Sequence, residues 1–342
     1  MKKRAYTAAS AVILVFLYLL PLSAGGVWGV YFTDPERNGA HGTYSPPEEA
    51  LISLISSAKT SIDGAFYEIG SLRVSDALIG AHKRGVKVRL VTDDGNLNKP
   101  GCKKVKAAGI PVVDDAKKGL MHNKFAVIDG QILWTGSYNI TDNCAYRNNN
   151  NAIRIDSRDL SSIYETEFRE MFEKHLFENR QEKKALPSLS NPYYVKIGEM
   201  NINAYFSPEN NVEDIIVKRI KKAKKSVYFM AFSFTSDPIG EAMVEKAKSG
   251  VAVAGVFEKN GSDSKESEYK KMLIEKIPVV LDKNHRNMHH KVIIIDEEIV
   301  ITGSYNFSKN ASKRNDENLL IIENREISQK YLAEFRKIYY SK

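Results

Sequence analysis

The sequence predicts an α/β protein made of two tandem copies of one unit, each a mixed, mostly parallel sheet flanked by helices. Three observations carry that expectation. A six-residue pattern occurs twice with the same internal spacing, the segments around it repeat at a nearly constant offset, and helical and strand patterns alternate inside each repeat. The pattern is His-x-Lys-x4-Asp-x6-Gly-Ser-x-Asn, present as His122, Lys124, Asp129, Gly136, Ser137 and Asn139, and again as His289, Lys291, Asp296, Gly303, Ser304 and Asn306. Six fixed residues match a given window by chance with odds on the order of 10⁻⁷. The second copy is a duplication.

An offset of 165 superimposes Ala58-Lys59-Thr60-Ser61-Ile62 on Ala223-Lys224-Lys225-Ser226-Val227, and Gly85-Val86-Lys87-Val88 on Gly250-Val251-Ala252-Val253. After a two-residue insertion the offset is 167, matching Ile110-Pro111-Val112-Val113 with Ile277-Pro278-Val279-Val280 and Tyr164, Glu167, Phe168, Arg169 with Tyr331, Glu334, Phe335, Arg336. The first unit is placed at 27–173, a polar linker at 174–199 and the second unit at 200–342. Each unit is long enough to bury its own core.

Along the chain, residues 1–26 place Lys2-Lys3-Arg4 before an apolar run from Ala8 to Leu20, then Pro21 and small residues. This is the layout of a signal peptide or signal anchor. The run is shorter than the roughly 18 residues that favour a membrane span, so export to the periplasm or outside the cell is expected, with a retained anchor as the other possibility. In each unit an amphipathic helix (Glu48 to Ala58; Val212 to Ala223) leads into an apolar, β-rich run (Ser61 to Tyr67; Ser226 to Phe234). A second helix and strand follow, Ser75 to Arg84 into Val86 to Thr92, and Pro238 to Lys248 into Val251 to Glu258. That alternation is what argues for parallel pairing. The motif then falls on a strand, Met121 to Ile128 or Met288 to Ile295, and Asp129-Gly130 turns the first into a returning strand. A strand and a helix close each unit.

On a strand, side chains two apart share a face, so His122 with Lys124, and His289 with Lys291, project together. By the same parity Asp129 and Asp296 point away and are read as structural, organising the turn. Ser137, Asn139, Ser304 and Asn306 lie just past the returning strand, where hydroxyl and amide donors could hold phosphate oxygens. Two imidazoles and two ammonium groups suit the cleavage of a phosphodiester, which needs a nucleophile on phosphorus and a proton donor to the leaving oxygen on its opposite side. The lysines would stabilise charge on the phosphoryl oxygens. No metal or cofactor is called for.

These repeated residues resemble the paired HKD motifs of the phospholipase D superfamily, and the strings Gly303-Ser304-Tyr305-Asn306-Phe307-Ser308 and Asn315-Asp316-Glu317-Asn318 resemble its small bacterial Nuc-like nucleases. The resemblance covers nearly the whole chain after residue 26. It implies two phospholipase D-like α/β units with one active site at their interface, a phosphohistidine intermediate and independence from metals. It makes His122 the nucleophile, His289 the acid and base, and Lys124, Lys291, Asn139 and Asn306 the phosphate ligands. It also implies an acidic residue about 28 positions after each motif histidine to orient an imidazole. Glu317 fills that place in the second unit, but Asn150 stands there in the first. An amide can fix a tautomer but does not stabilise imidazolium as a carboxylate does, so the two histidines should be inequivalent.

Blander readings apply elsewhere. The formal charge of +8 includes Lys2, Lys3 and Arg4, so the basic bias is moderate. Lys218, Arg219, Lys221, Lys222, Lys224 and Lys225 form either a solvated helix face or a track for phosphates or anionic lipids. His285, His289 and His290 with Asp282 would make a metal cluster only if adjacent histidines on a strand faced the same way. His41, His82 and His175 have no motif context, and Phe66, Tyr67, Phe229, Phe232 and Phe234 read as sheet core rather than base-stacking platforms. Asn139-Ile140-Thr141 and Asn306-Phe307-Ser308 match glycosylation acceptors only formally. The sequence leaves Cys102 and Cys144 open to pairing or to remaining free.

The reaction class does not identify the substrate. A nuclease of low sequence specificity acting on DNA or RNA is the leading expectation, and a phospholipase D or cardiolipin-synthase-like enzyme acting on phospholipid is the alternative. A phosphate-binding protein without catalysis is a third. Both motifs lie on one chain, so a monomer suffices and no protein partner is required.

Overall fold

The computed structural model describes residues 27–38, 44–116, 119–177 and 193–341. The signal-like segment and most of the expected linker lie outside the described residues. The first unit runs β1 (Trp28–Phe32), α1 (Pro35–Asn38), α2 (Pro46–Ser57), β2 (Ser61–Phe66), α3 (Leu72–Lys83), β3 (Lys87–Thr92), α4 (Pro100–Ala107) and β4 (Val112–Asp114). It continues with β5 (Lys124–Ile128), β6 (Ile132–Gly136), α5 (Asp142–Tyr146), β7 (Asn151–Asp156) and α6 (Arg158–Lys174). The second unit opens with a hairpin, β8 (Tyr194–Ile197) and β9 (Met200–Ser207), followed by α7 (Val212–Lys221), β10 (Ser226–Ala231), α8 (Asp237–Lys248), β11 (Ala252–Phe257) and α9 (Glu268–Ile274). Then come β12 (Val279–Leu281), β13 (Lys291–Ile295), β14 (Ile299–Gly303), α10 (Lys309–Lys313), β15 (Glu317–Glu323) and α11 (Arg325–Tyr339). Strand β8 lies inside the segment assigned to the linker by composition.

Two mixed sheets result, ordered β1-β7-β6-β5-β2-β3-β4 and β12-β11-β10-β13-β14-β15-β9-β8. The expected parallel majority is corrected. Only β2, β3 and β4, and their counterparts β10, β11 and β12, pair in parallel; every other neighbour is antiparallel. The crossover helices α3 and α8 enforce parallel pairing where they occur, but the chain then returns through the tight turns at Asp129-Gly130 and Asp296-Glu297, which give hairpins.

Local chemistry explains matching helix starts in the two units. Ser71 and Ser236 cap α3 and α8 by accepting the Val74 and Ile239 amides, and their hydroxyls donate to Glu48 and Glu213 on the preceding helices. Ser157 and Asn324 cap α6 and α11 in the same way. The outer face of each sheet packs on its own helices, through Leu51, Leu78 and Trp134 in the first unit and Ile216, Met243 and Phe229 in the second. The inner faces share one continuous cluster that includes Phe125, Tyr164 and Phe168 with Val292, Tyr331 and Phe335. Burying such side chains contributes about 1.5–3 kcal/mol each. The two units therefore meet across a hydrophobic interior, and the polar site sits at its edge. Among the described residues no helix is long and apolar enough to cross a membrane.

Candidate active site

Strands β5 and β13 begin at Lys124 and Lys291, so the motif histidines precede the strands on which they were expected. They still share a face with the lysines because the backbone before each strand stays extended and bridges to the other unit, Met121 to Asp316 and Met288 to Asn149. The His122 amide donates to the Asp316 carbonyl at 2.9 Å, and the His289 amide donates to the Asn149 carbonyl at 2.8 Å. Each histidine is thus fastened to the lead-in of the other unit's closing strand. Neither unit alone builds the site.

The side chains cross in the same way. His122 Nδ1 lies 2.7 Å from Glu317 Oε2, and His289 Nδ1 lies 2.9 Å from Asn150 Oδ1. The Asn150 amide is oriented by its surroundings, since its nitrogen donates to the Cys144 carbonyl at 3.1 Å while the Ser137 hydroxyl meets its oxygen at 3.1 Å. That oxygen accepts, so His289 carries its proton on Nδ1. Glu317 accepts a hydrogen bond from His122 Nδ1–H likewise, and Nε2 of neither ring has a hydrogen-bond partner among the described residues. Ser137 and Ser304 were expected to hold phosphate. Both are fully buried, and their hydroxyls donate instead to Asn150 and to Glu317 (2.6 Å for Ser304), one layer beneath the histidines.

Lys124 and Lys291 are fully buried, and each ammonium donates to the carbonyl of its own motif histidine, at 2.7 and 2.8 Å. No carboxylate forms an ion pair with either among the described residues. An aromatic ring stands there. The Lys124 ammonium lies 5.2 Å from the centre of the Tyr67 ring and the Lys291 ammonium 4.6 Å from that of Phe232. The same rings meet His122 and His289 edge-on at 5.0 and 4.5 Å. A ring face offers a buried ammonium partial compensation for lost water. Burial nevertheless lowers the lysines, Lys124 to about 8 and Lys291 well below its ordinary value. Burial also pushes His122 down to about 4 against the opposing pull of Glu317, and takes His289 well below the ordinary range, helped by Lys291, Lys124 and His122. In the free protein both imidazoles are neutral at pH 7.

The remaining motif residues divide by role. Asn139 and Asn306 are half-buried, and neither amide oxygen has a hydrogen-bond partner among the described residues. Asp129 accepts the amides of Lys59, Thr60 and Ser61, and Asp296 those of Lys224, Lys225 and Ser226. Each clamps the helix-to-strand loop ahead of the central strand rather than only its own turn. Gly136 and Gly303 have φ of +150° and +147°, and a Cβ there would stand 2.3 and 2.2 Å from the Asn151 and Asn318 carbonyl oxygens. The motif glycines are needed for that approach.

Sequence reasoning missed four of the residues that shape the site. Tyr67 and Phe232, read as core, are half-buried and stand beside the motif histidines, whereas Phe66, Phe229 and Phe234 are buried. Position 232 is 67 plus the first offset, and both are aromatic, a signal that was available. Asn318 bonds Thr135 at 2.7 Å and Asn151 accepts from Thr302 at 2.9 Å, pinning the two motif hairpins across the interface. His290 turns to the opposite face from His289, against Asn151 and Phe32, which removes the metal cluster considered with Asp282. Among the described residues the carboxylate groups close enough to share a cation are Asp93, Asp94 and Asp115, and Glu167, Glu209 and Asp316, without either motif histidine. Cys102 and Cys144 are buried and free. The basic cluster of α7 lies at the end of β10 away from the site, about 16 Å along the strand.

Comparison with known proteins gives four matches of note. The family model described as "Cardiolipin synthase, PLD-like domain" matches twice, over residues 51–172 and 216–339. The protein named Phospholipase D of Rickettsia prowazekii (strain Madrid E) is 36% identical over 150 residues, which are 42% of this chain and 73% of that relative. The crystal structure of Nuc, a phospholipase D family member from Salmonella typhimurium, matches with 32% identity and a TM-score of 0.39 over 41% of this chain and 95% of that one. The crystal structure of phosphatidylserine synthase from Haemophilus influenzae Rd KW20 aligns with 90% of this chain and 84% of its own at a TM-score of 0.63 and 13% identity, a likeness of fold.

Proposed function

The chain belongs to the phospholipase D superfamily and is a phosphodiesterase of that family, and from that premise we propose that it is an exported, metal-independent nuclease of low sequence specificity. The observation that carries the choice of substrate is the pair of rings beside the histidines. Tyr67 and Phe232 give the site two half-buried π-surfaces beside the motif histidines, walls suited to nucleobases flanking a phosphate.

The geometry supports the following steps. A phosphodiester anion between Lys124 and Lys291 offsets the charges that depress His289 and so raises its proton affinity, and His289 Nε2 takes up a proton from solvent as the substrate binds. His122, neutral and held by Glu317, attacks phosphorus through Nε2. The bond to the leaving oxygen breaks and that oxygen takes the proton from His289 Nε2. His289 then accepts a proton from water, whose oxygen attacks the phosphohistidine and releases His122 together with the phosphate monoester. Lys124, Lys291, Asn139 and Asn306 stabilise the phosphoryl oxygens throughout.

A phospholipid substrate is the second reading, favoured by the name of the Rickettsia relative. Labelled single- and double-stranded DNA and RNA, offered with EDTA alongside phosphatidyl vesicles, separate the two. Cleavage of nucleic acid that survives EDTA and disappears in His122→Ala supports the proposal. Turnover of vesicles alone overturns it in favour of the lipid.

A further inference from the structure

The two seams where the units join are not alike, and the difference bears on how a polymer lies in the site. On the His289 side, the Asn284 side chain knits residues 147–149 to 284–287, donating to the Arg147 carbonyl at 3.0 Å and to Asn149 Oδ1 at 2.7 Å. Arg147 and Arg286 are exposed on this seam without a carboxylate partner among the described residues. Lys259 reaches the Asn284 carbonyl at 2.7 Å, and Lys283 stands next to it. At the matching positions on the His122 side, Arg147 has the counterpart Arg314, but Lys259 is replaced by Asp94, Lys283 by Ala116 and Arg286 by Gly119. Asn149 is replaced by Asp316. Lys117 and Lys118, which match Asn284 and His285, lie outside the described residues.

The acids on the cationic seam are spent internally. Glu258 accepts the Met288 amide at 2.6 Å, and Asp282 accepts the amides of Lys259 and Asn284 at 3.1 and 2.9 Å. Burial raises both carboxyls, Glu258 to about 7.

We propose that the seam carrying Arg147 and Arg286 is the docking surface for the leaving strand of a single-stranded nucleic acid. The assignment rests on the nuclease reading and deepens it. In-line displacement puts the leaving oxygen opposite the nucleophile His122 and beside the proton donor His289. Chain attached to that oxygen therefore runs out over the His289 side, past the Phe232 ring and onto the arginines. A stacking ring followed by cations along one edge is the arrangement that holds single strands without reading sequence.

The test compares wild type with an Arg147→Ala/Arg286→Ala double variant on three substrates: a single-stranded oligonucleotide, the same strand ending in a 4-nitrophenyl phosphodiester from which nitrophenolate leaves, and bis(4-nitrophenyl) phosphate. The double variant should lose about 10–100-fold in kcat/KM on internal cleavage of the oligonucleotide, with a shallower salt dependence. It should lose less than about 3-fold on either nitrophenyl ester, where no leaving strand exists. Lys218→Ala/Lys222→Ala on α7 controls for removing charge far from the site. Equal losses on the oligonucleotide and its nitrophenyl ester would overturn the assignment of sides, and no loss on either would remove the docking surface. Failure of the wild type to cleave any strand while it hydrolyses bis(4-nitrophenyl) phosphate would instead sink the nuclease reading itself.

Discussion

His122 and His289 are built alike and supported differently. Each lies two residues before a buried lysine, meets an aromatic ring edge-on and takes its backbone fastening from the other unit. Yet His122 Nδ1 faces the Glu317 carboxylate and His289 Nδ1 faces the Asn150 amide. Two identical half-sites would have to share the tasks of nucleophile and acid by chance of binding. In the proposed mechanism a single exchange of acid for amide would assign them, because a carboxylate stabilises the cationic phosphoimidazolium and an amide leaves the other ring ready to give up its proton.

The largest effect should come from the histidines themselves. With bis(4-nitrophenyl) phosphate, His122→Ala should lose on the order of 10⁴-fold or more in kcat and show no burst of nitrophenolate. His289→Ala should retain a burst, because nitrophenolate leaves without a proton, and then stall at the covalent intermediate. A burst in the His122 variant and none in the His289 variant would exchange the roles. Next is Glu317→Gln, which takes the carboxylate from His122 and can present an NH₂ to Nδ1. A fall of about 10²–10³-fold in kcat with KM little changed is expected. Unchanged turnover would mean that the asymmetry of partners has no mechanistic weight.

Where the two units agree, the expected effects agree. Asp129 and Asp296 clamp equivalent loops through three backbone amides each, and both carboxyls are held below the ordinary range by those bonds against the opposing effect of burial. Replacing either by Ala should cost about 1–3 kcal/mol in urea unfolding. The bonds are made by the ionised form, so the contribution is present above the unfolded carboxyl value and is lost as pH falls through the lower folded one. A large cost at one site and none at the other would show that duplication did not preserve this clamp.

How much of this was legible in the sequence follows from the range of each signal. The repeat exposed the histidines, the lysines and the clamping aspartates because all lie within one motif. The sheet direction misled, since the helix-strand alternation that opens each unit gives no sign that later strands return through hairpins. Tyr67 and Phe232 were hidden because the apolar runs of β2 and β10 pass into the site without a break in pattern. Asn151 was one of four consecutive asparagines, and only the crossing of units selects it. The pairing of Glu317 with His122 rather than His289 depends on that same crossing, which no local pattern encodes.

The smallest expected effect probes the comparison most finely. Asn150→Asp would place a carboxylate against His289 as Glu317 lies against His122. Lys291, Lys124, His122 and His290 all oppose the protonation of His289, and the Phe232 ring meets it edge-on. His289 must be protonated to serve as the acid, so kcat falls as pH rises through its value in the complex. His122 must be neutral, so kcat falls as pH drops through its own value, about 4 in the free protein. The wild type should therefore work best on the acid side of neutrality. A facing carboxylate raises His289 and should move the alkaline limb of the kcat profile up by about one pH unit, equivalent to about 1.4 kcal/mol, with the acid limb unmoved. A shift of the acid limb instead would mean that residue 150 acts on the nucleophile, and the division of labour between the two units would have to be reversed.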